Sequence, residues 1–199
     1  MPFTPKKFAD RLENNGGGSV RDHYLSPSKV KADGSLRFAM VSDEDPLWFY
    51  ECWGEDSAGN GRPFRFADDP TPAEIEQEMG ADYNRRLNRE GTAPEPVKIA
   101  VAFPVYNFEM ERIQTLQITQ KGIQKELTKI SQMEDYENLL EWDFVMTKEA
   151  TVSPDMYGLR PAPRKKGAQE AIDAAWNEAK DNGYDLNRLL VGGHPHKAD

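Results

Sequence analysis

The chain is poor in the residues from which most catalytic and metal centres are built. Among 199 residues there is one cysteine, Cys52, and there are three histidines, His23, His194 and His196. A single thiol cannot close an intramolecular disulfide, and two histidines in "GGHPHKAD" cannot fill the four-ligand shell of a structural zinc site. A Ser-His-Asp set would need a histidine in the strand-rich middle of the chain, and none lies between His23 and His194. Phosphate-cradling signatures are missing too: "NNGGGS" has no strand before it and no lysine after it. The carboxylates of "SDEDP" and "DDPTPAEIEQE" lack EF-hand spacing and fall in turns and at a helix start, where acids complement the helix dipole. Neither an enzyme nor a cofactor is expected.

Long apolar runs are also absent. No window approaches the roughly 18 apolar residues of a membrane span, and "MPFTPKKFADRLENNGGG" has no apolar signal-peptide core, so a cytoplasmic location is expected. The hydrophobic share, 38%, is low for a fully packed chain, which points to unpacked termini.

What charge there is lies unevenly. The net value is -9. Residues 67–96 carry three basic against eight acidic side chains and residues 167–199 three against six, whereas residues 97–135 are balanced at five and five. Acidity confined to an insertion and to the C-terminal third leaves a polyanionic ligand open to the remainder.

Periodicity supplies the organisation. Residues 1–34 read as a flexible arm: a short helix in "PKKFADRLEN", the linker "NGGGS", then turn chemistry. Leu36, Phe38 and Met40 alternate with Arg37, Ala39 and Val41, and "LWFYECW" would pair with that strand. In 67–96, a surface insertion, Thr71 as cap, Pro72 at the first helical position and Glu74 three after the cap predict a helix with a thin Ile75, Met79, Tyr83, Leu87 stripe. "VKIAVAFPVYNF" alternates cleanly, with Pro104 placing it at an edge or bulge. After "IQTLQIT" the period switches, and Ile123, Leu127 and Ile130 recur at helical spacing beside Lys121, Lys125 and Lys129. Trp142, Phe144 and Met146 give the next inward face, and "MYGLRPAP" its hairpin partner. A further helix in "RKKGAQEAIDAAWNEAKDNG" ends at Gly183.

A mainly β domain over 35–166 follows, with 167–199 as C-terminal helix and tail. A helix between the third and fourth strands of a five-stranded closed sheet is the order of an OB-fold-like barrel, the helix plugging one end. A generic antiparallel sheet with one helix on a face is the alternative.

Aromatic residues recur beside basic ones. Trp48, Tyr50, Phe64, Phe66, Tyr106 and Tyr157 stand near Arg37, Arg62, Arg65, Lys98, Arg160 and the run Arg164, Lys165, Lys166. Flat rings for stacking and cations for phosphates are what single-stranded nucleic acid requires. The same rings in strands can be core.

The stretch "LQITQKGIQKEL", followed by "EWDFVMTK" and "YGLRPAP", with "WFYECW" upstream, resembles the single-stranded DNA-binding proteins of tailed bacteriophages. The resemblance covers roughly residues 35 to 165. It implies an OB-fold and largely sequence-independent binding of single-stranded DNA in phage replication, recombination or repair. Partners would then be single-stranded DNA and phage replication or recombination proteins, with homo-oligomerisation open. A protein-interaction or virion-associated module, or an RNA-binding protein, is the alternative reading.

Overall fold

The structure, a computed structural model, describes residues 23–153 and 156–196. The helix expected in "PKKFADRLEN" lies outside them. The elements in order are β1 (Tyr24–Leu25), β2 (Gly34–Met40), β3 (Leu47–Glu55), β4 (Gly61–Phe66), α1 (Pro72–Met79), β5 (Asn84–Arg85), β6 (Lys98–Asn107), β7 (Arg112–Ile118), α2 (Lys121–Ser131), β8 (Trp142–Lys148), β9 (Tyr157–Pro163) and α3 (Gln169–Asp181). Among the described residues no helix is long and apolar enough to cross a membrane.

The chain is mainly β, with helices at the periphery of one mixed nine-stranded sheet. Its main path runs β1-β7-β6-β2-β8-β9, and β3, carrying β4 and β5, branches from β6. This differs from a closed five-stranded barrel: no ladder joins β7 to β9 among the described residues.

A second difference concerns "LWFYECW". It does not pair with β2. Both strands use the same edge of β6, β3 along residues 98–102 and β2 along residues 105–107, while β7 takes the opposite edge. Pro104 therefore sits inside a central strand rather than at an edge. It is tolerated because Phe103 and Pro104 fall between the two partners, where the ladder on that side is already interrupted.

The sheet curls around one core. Phe38, Val101, Phe103, Val105, Leu116, Ile118, Phe144, Met146 and Leu159 point into it, and Ile123, Leu127 and Ile130 of α2 close it. The switch in period after Ile118 is thus a switch from sheet wall to plug, and Phe144 lies stacked on Phe38 at 5.6 Å between centroids. Gln124 completes the junction: its side-chain amide donates to the carbonyls of Ile99 and Ile118, both at 2.9 Å.

The insertion is more embedded than its composition suggests. The Thr71–Glu74 capping box forms as its spacing predicts, with the Glu74 amide donating to Thr71 Oγ1 and the Thr71 amide donating to the Glu74 carboxylate. Ile75 and Met79 then bury against Cys52 and Phe64 of the β3–β4 hairpin, with Tyr83 beside them, whereas Leu87 is exposed because α1 has ended at Met79.

The outer face of the sheet is covered as well. Ile172 of α3 packs on Ala39, Tyr106 and Ile113, and Leu189 packs on Phe49, Ala100 and Ala102. Between them the chain reverses at Gly183, whose φ of 77° favours glycine; the amides of Gly183 and Tyr184 donate to the carbonyls of Lys180 and Ala179, a Schellman closure.

One buried carboxylate fastens α3 to this scaffold. Asp143, 0% exposed, receives Arg37 Nε at 2.7 Å and the Lys165 amide at 3.0 Å, while Arg164 Nε lies 2.9 Å from its other oxygen as an ion pair outside hydrogen-bond geometry. Removing the carboxylate would leave two guanidiniums uncompensated. Asp143→Ala should therefore lower the free energy of unfolding by about 3–5 kcal/mol in urea titrations, and a change below about 1 kcal/mol would show the cluster to be dispensable. Leu127→Asp, an unpartnered charge in the core, should abolish cooperative unfolding; a soluble variant with a sharp melt would contradict the plug role of α2.

Candidate nucleic-acid interface

Alternation along β3 and β4 sends their side chains to two different surfaces. Cross-strand partners share a face, so Glu51 with Arg65 and Trp53 with Pro63 look one way, while Tyr50 with Phe66 and Cys52 with Phe64 look the other. The first of these faces forms one wall of a groove of about 870 Å³. Its second wall is Tyr24, Leu25, Ser26 and Ser28, held on β7 through the parallel pairing of β1; its end is closed by Gly192–His194, and Gln117 of β7 and Thr119, just past its end, lie on its floor.

A compact polar triangle joins the hairpin wall to the floor. Arg65 Nε donates to Glu51 at 3.2 Å, Arg65 Nη2 donates to the Gln117 side-chain oxygen at 3.2 Å, and the Gln117 amide donates to the same Glu51 oxygen at 2.7 Å. Glu51 is almost fully buried, so its charge is spent on Arg65 and is not presented to a ligand. Trp53 stands on the wall over Gly61, with the Arg86 guanidinium 5.7 Å from its ring centroid. Tyr24 faces the groove from the other wall, and burial raises its phenol above the ordinary value, opposed by the nearby Arg65. What the arrangement offers is two rings, an anchored guanidinium and amide hydrogen-bonding groups in one groove.

The C-terminal segment that ends the groove is held by a ring cluster that unites all three histidines. His23 lies 4.7 Å from His196 and 5.5 Å from His194 between centroids, and Tyr184 lies 4.8 Å from His196. Thr115 Oγ1 contacts both the Tyr184 hydroxyl, at 3.0 Å, and His196 Nε2, at 3.1 Å. The "GGHPH" residues, which read as a tail, are thus part of the packed structure. Among the described residues no group of three or more His, Cys, Asp or Glu side chains is disposed to hold a metal ion. Cys52 is buried, and burial pushes its thiol up, away from the nucleophilic thiolate.

The rings and cations singled out in the sequence do not converge on one place. Arg62 and Arg65 line the groove, but the Arg62 guanidinium stacks over Phe64 and Tyr83, at 4.4 and 5.1 Å. Phe64 and Tyr106 are core side chains, under α1 and α3 respectively. Trp48, Tyr50 and Phe66 belong to the opposite face of the hairpin. Lys98 is exposed and paired with Glu95, and Tyr157 borders the main core with Lys148 5.9 Å from its ring. Arg37 and Arg164 are engaged by Asp143, while Arg160, Lys165 and Lys166 are exposed beyond them.

Comparison with protein-family models, curated proteins and solved structures gives no match to this chain.

Several groove residues escaped the sequence pattern. Tyr24 and His194 lie in segments with no periodicity, and Gln117 is one polar residue in an otherwise ordinary strand. Only Trp53, alternating with Cys52 and Gly54, carried a signal, because its hairpin partner Pro63 precedes a basic and aromatic run. A further ring, Phe108, is flanked by Arg37 and Lys165 at 5.7 and 5.6 Å.

His196 makes the groove's end sensitive to pH. Burial, with His23 and His194 adding to it, holds its imidazole down to about 3 against an ordinary value of 6.5. In the unfolded chain it protonates first, so the stabilisation is fully present above about pH 6.5 and is lost progressively as pH falls toward 3. Protection factors for amide exchange in 184–196 should fall from pH 7 to pH 5 in the wild type and stay flat in His196→Gln. Equal protection of the wild type at both pH values would remove His196 as the cause.

Proposed function

We propose that this chain is a non-enzymatic single-stranded DNA-binding protein built on an OB-type sheet, acting in phage DNA replication, recombination or repair in the host cytoplasm. The observation that carries the reading is the strand order. Taken as β2, β6, β7, α2, β8 and β9, the chain supports an OB-type reading, since the helix falls between the third and fourth strands and the spatial order is β9-β8-β2-β6-β7. The β3–β4 hairpin, α1 and β5 then form one long insertion between the first and second strands. OB-folds take oligonucleotides across the face of their second and third strands, beside the loop that joins the first two. The groove borders that face, which supports the reading: Gln117 comes from the third strand, Thr119 follows its end, and the hairpin wall comes from the insertion.

The chemistry of the groove supports the same ligand. Trp53 and Tyr24 offer π-faces that any base can use, which suits binding without sequence preference. Arg65 supplies a guanidinium already oriented by Glu51 and Gln117, so little rotamer entropy is lost when a phosphate or base edge meets it. Nothing in this arrangement reads a base by a unique donor and acceptor pattern.

The test is a retardation and fluorescence titration with oligo-dT and with duplex DNA of equal length near about 50 mM salt, where phosphate contacts contribute most. The single strand should be preferred and should quench Trp53. Trp53→Ala should cost about 1–3 kcal/mol of affinity and leave the salt slope unchanged, because stacking releases no counterions. Absence of binding, or equal binding of duplex, would overturn the proposal.

A further inference from the structure

The other face of the β3–β4 hairpin bears a different surface. The registers Phe66↔Tyr50 and Tyr50↔Ile99 place these three side chains in one row across β4, β3 and β6. Trp48, two residues along β3 and on the same face, is 47% exposed, and Ile99 is 44% exposed. At strand spacings of about 4.8 Å the row is roughly 10 Å long between Cα atoms. Its two ends differ in charge. The Ile99 end borders a groove edged by Lys121, Lys125 and Lys129 of α2. The Phe66 end borders a groove edged by Asp68, Asp69, Glu74 and Glu78, at the start and on the flank of α1.

A flat apolar strip with cations along one end and anions along the other is complementary to its own copy turned through two-fold symmetry. The rotation lays the Tyr50 and Trp48 region of one protomer on that of its partner, and each lysine edge then meets an acidic edge. We infer that this face is a symmetric dimer interface of the chain with itself. A nucleic-acid strand is a poorer occupant, because it would run from the lysines onto four carboxylates. An isologous contact also closes after two copies, and it leaves the groove on the opposite face of each hairpin open. The inference does not depend on what that groove binds.

Charge reversal tests it in a way that separates packing from folding. One variant, Lys121→Glu/Lys125→Glu, makes both edges acidic; a second, Asp68→Lys/Asp69→Lys/Glu78→Lys, makes both basic. All five positions are exposed. The wild type should sediment as a concentration-dependent dimer at low salt. Each variant alone should be monomeric, its dissociation constant raised by at least about tenfold through like-charge opposition. Mixed in equal amounts, the two should form a heterodimer, and the chain carrying all five changes should dimerise again, which a folding defect could not produce. A wild type that stays monomeric at all concentrations, or single variants that dimerise like the wild type, would overturn the inference. So would loss of oligo-dT affinity in the first variant from a monomeric wild type, which would assign the face to nucleic acid. A wild type that dimerises but binds no DNA would leave this inference standing while removing the functional reading.

Discussion

Everything in this molecule is hung on one strand whose single edge serves two partners. β6 is ten residues long, and its pairing with β3 gives way to pairing with β2 after a gap at Phe103 and Pro104. That gap is where a proline costs least, since the ladder hydrogen bond it would remove is not made on that side. The handover divides the molecule. Residues 105–107 tie β6 to the curled sheet around Phe38 and Phe144, and residues 98–102 tie it to the hairpin that supplies both the groove wall and the aromatic strip. Because a strand alternates, Val101 enters the main core while Ala100 and Ala102 lie on the other side beneath Leu189. Small residues on that second side are what allow the C-terminal segment to approach the sheet closely enough to form the groove's end.

The second constraint is electrostatic. Asp143 and Glu51 are the two acids driven furthest into the structure among those paired with arginine, and each is placed by a strand whose alternation would suit an apolar side chain. Neither position is explained by burial alone, because a carboxylate removed from water gains stability only when its partners are well placed. Asp143, on β8, joins two parts of the chain distant from it in sequence: Arg37 from β2, and Arg164 with the Lys165 amide from the segment that leads from β9 into α3. Glu51 joins β3 to β4 through Arg65 and to β7 through Gln117. The first links the sheet to its outer helix and the second links the hairpin to the sheet. They supply direction at junctions where apolar contact, which is non-directional, does not.

Legibility in the sequence follows from how local each cause is. The Thr71–Glu74 capping box, the α2 stripe of Ile123, Leu127 and Ile130, and the β8–β9 hairpin all depend on residues a few positions apart, and they were readable. The relation of β2 to β3 was not. Two alternating strands in succession read as a hairpin, yet "SDEDP" does not bring them together, and the choice is made by β6 some fifty residues later. Rings beside cations are equally ambiguous, because a strand's alternation tells which residues share a face but not which face another element will cover. Phe64 and Tyr106 became core only because α1 and α3 lie over them. Tyr24, Gln117 and His194 reached the groove through a parallel two-residue pairing, an ordinary strand position and a packed tail, none of which leaves a pattern in the chain.

A net charge of -9 would seem to argue against any polyanionic ligand, but the sum is the wrong quantity when the acids have local employment. Asp56 organises the β3–β4 turn, its side chain accepting from the amides of Ala58 and Asn60 and from the Asn60 side chain, which holds its carboxyl below the usual range. Glu74 is occupied in the same way by Thr71 at the start of α1. Glu51 belongs to Arg65, and Asp143 to two arginines. The groove is lined by one carboxylate, already paired, and by two arginines, whereas Asp68, Asp69 and Glu78 border the opposite face of the hairpin. At physiological salt a charge more than about 8 Å away is largely screened, so an anion in the groove would respond to its walls far more than to the acidic helix behind them. Segregating charge across the two faces of one hairpin lets an acidic chain keep a surface suited to an anion, and it gives the far face the dipolar edge that favours its own copy.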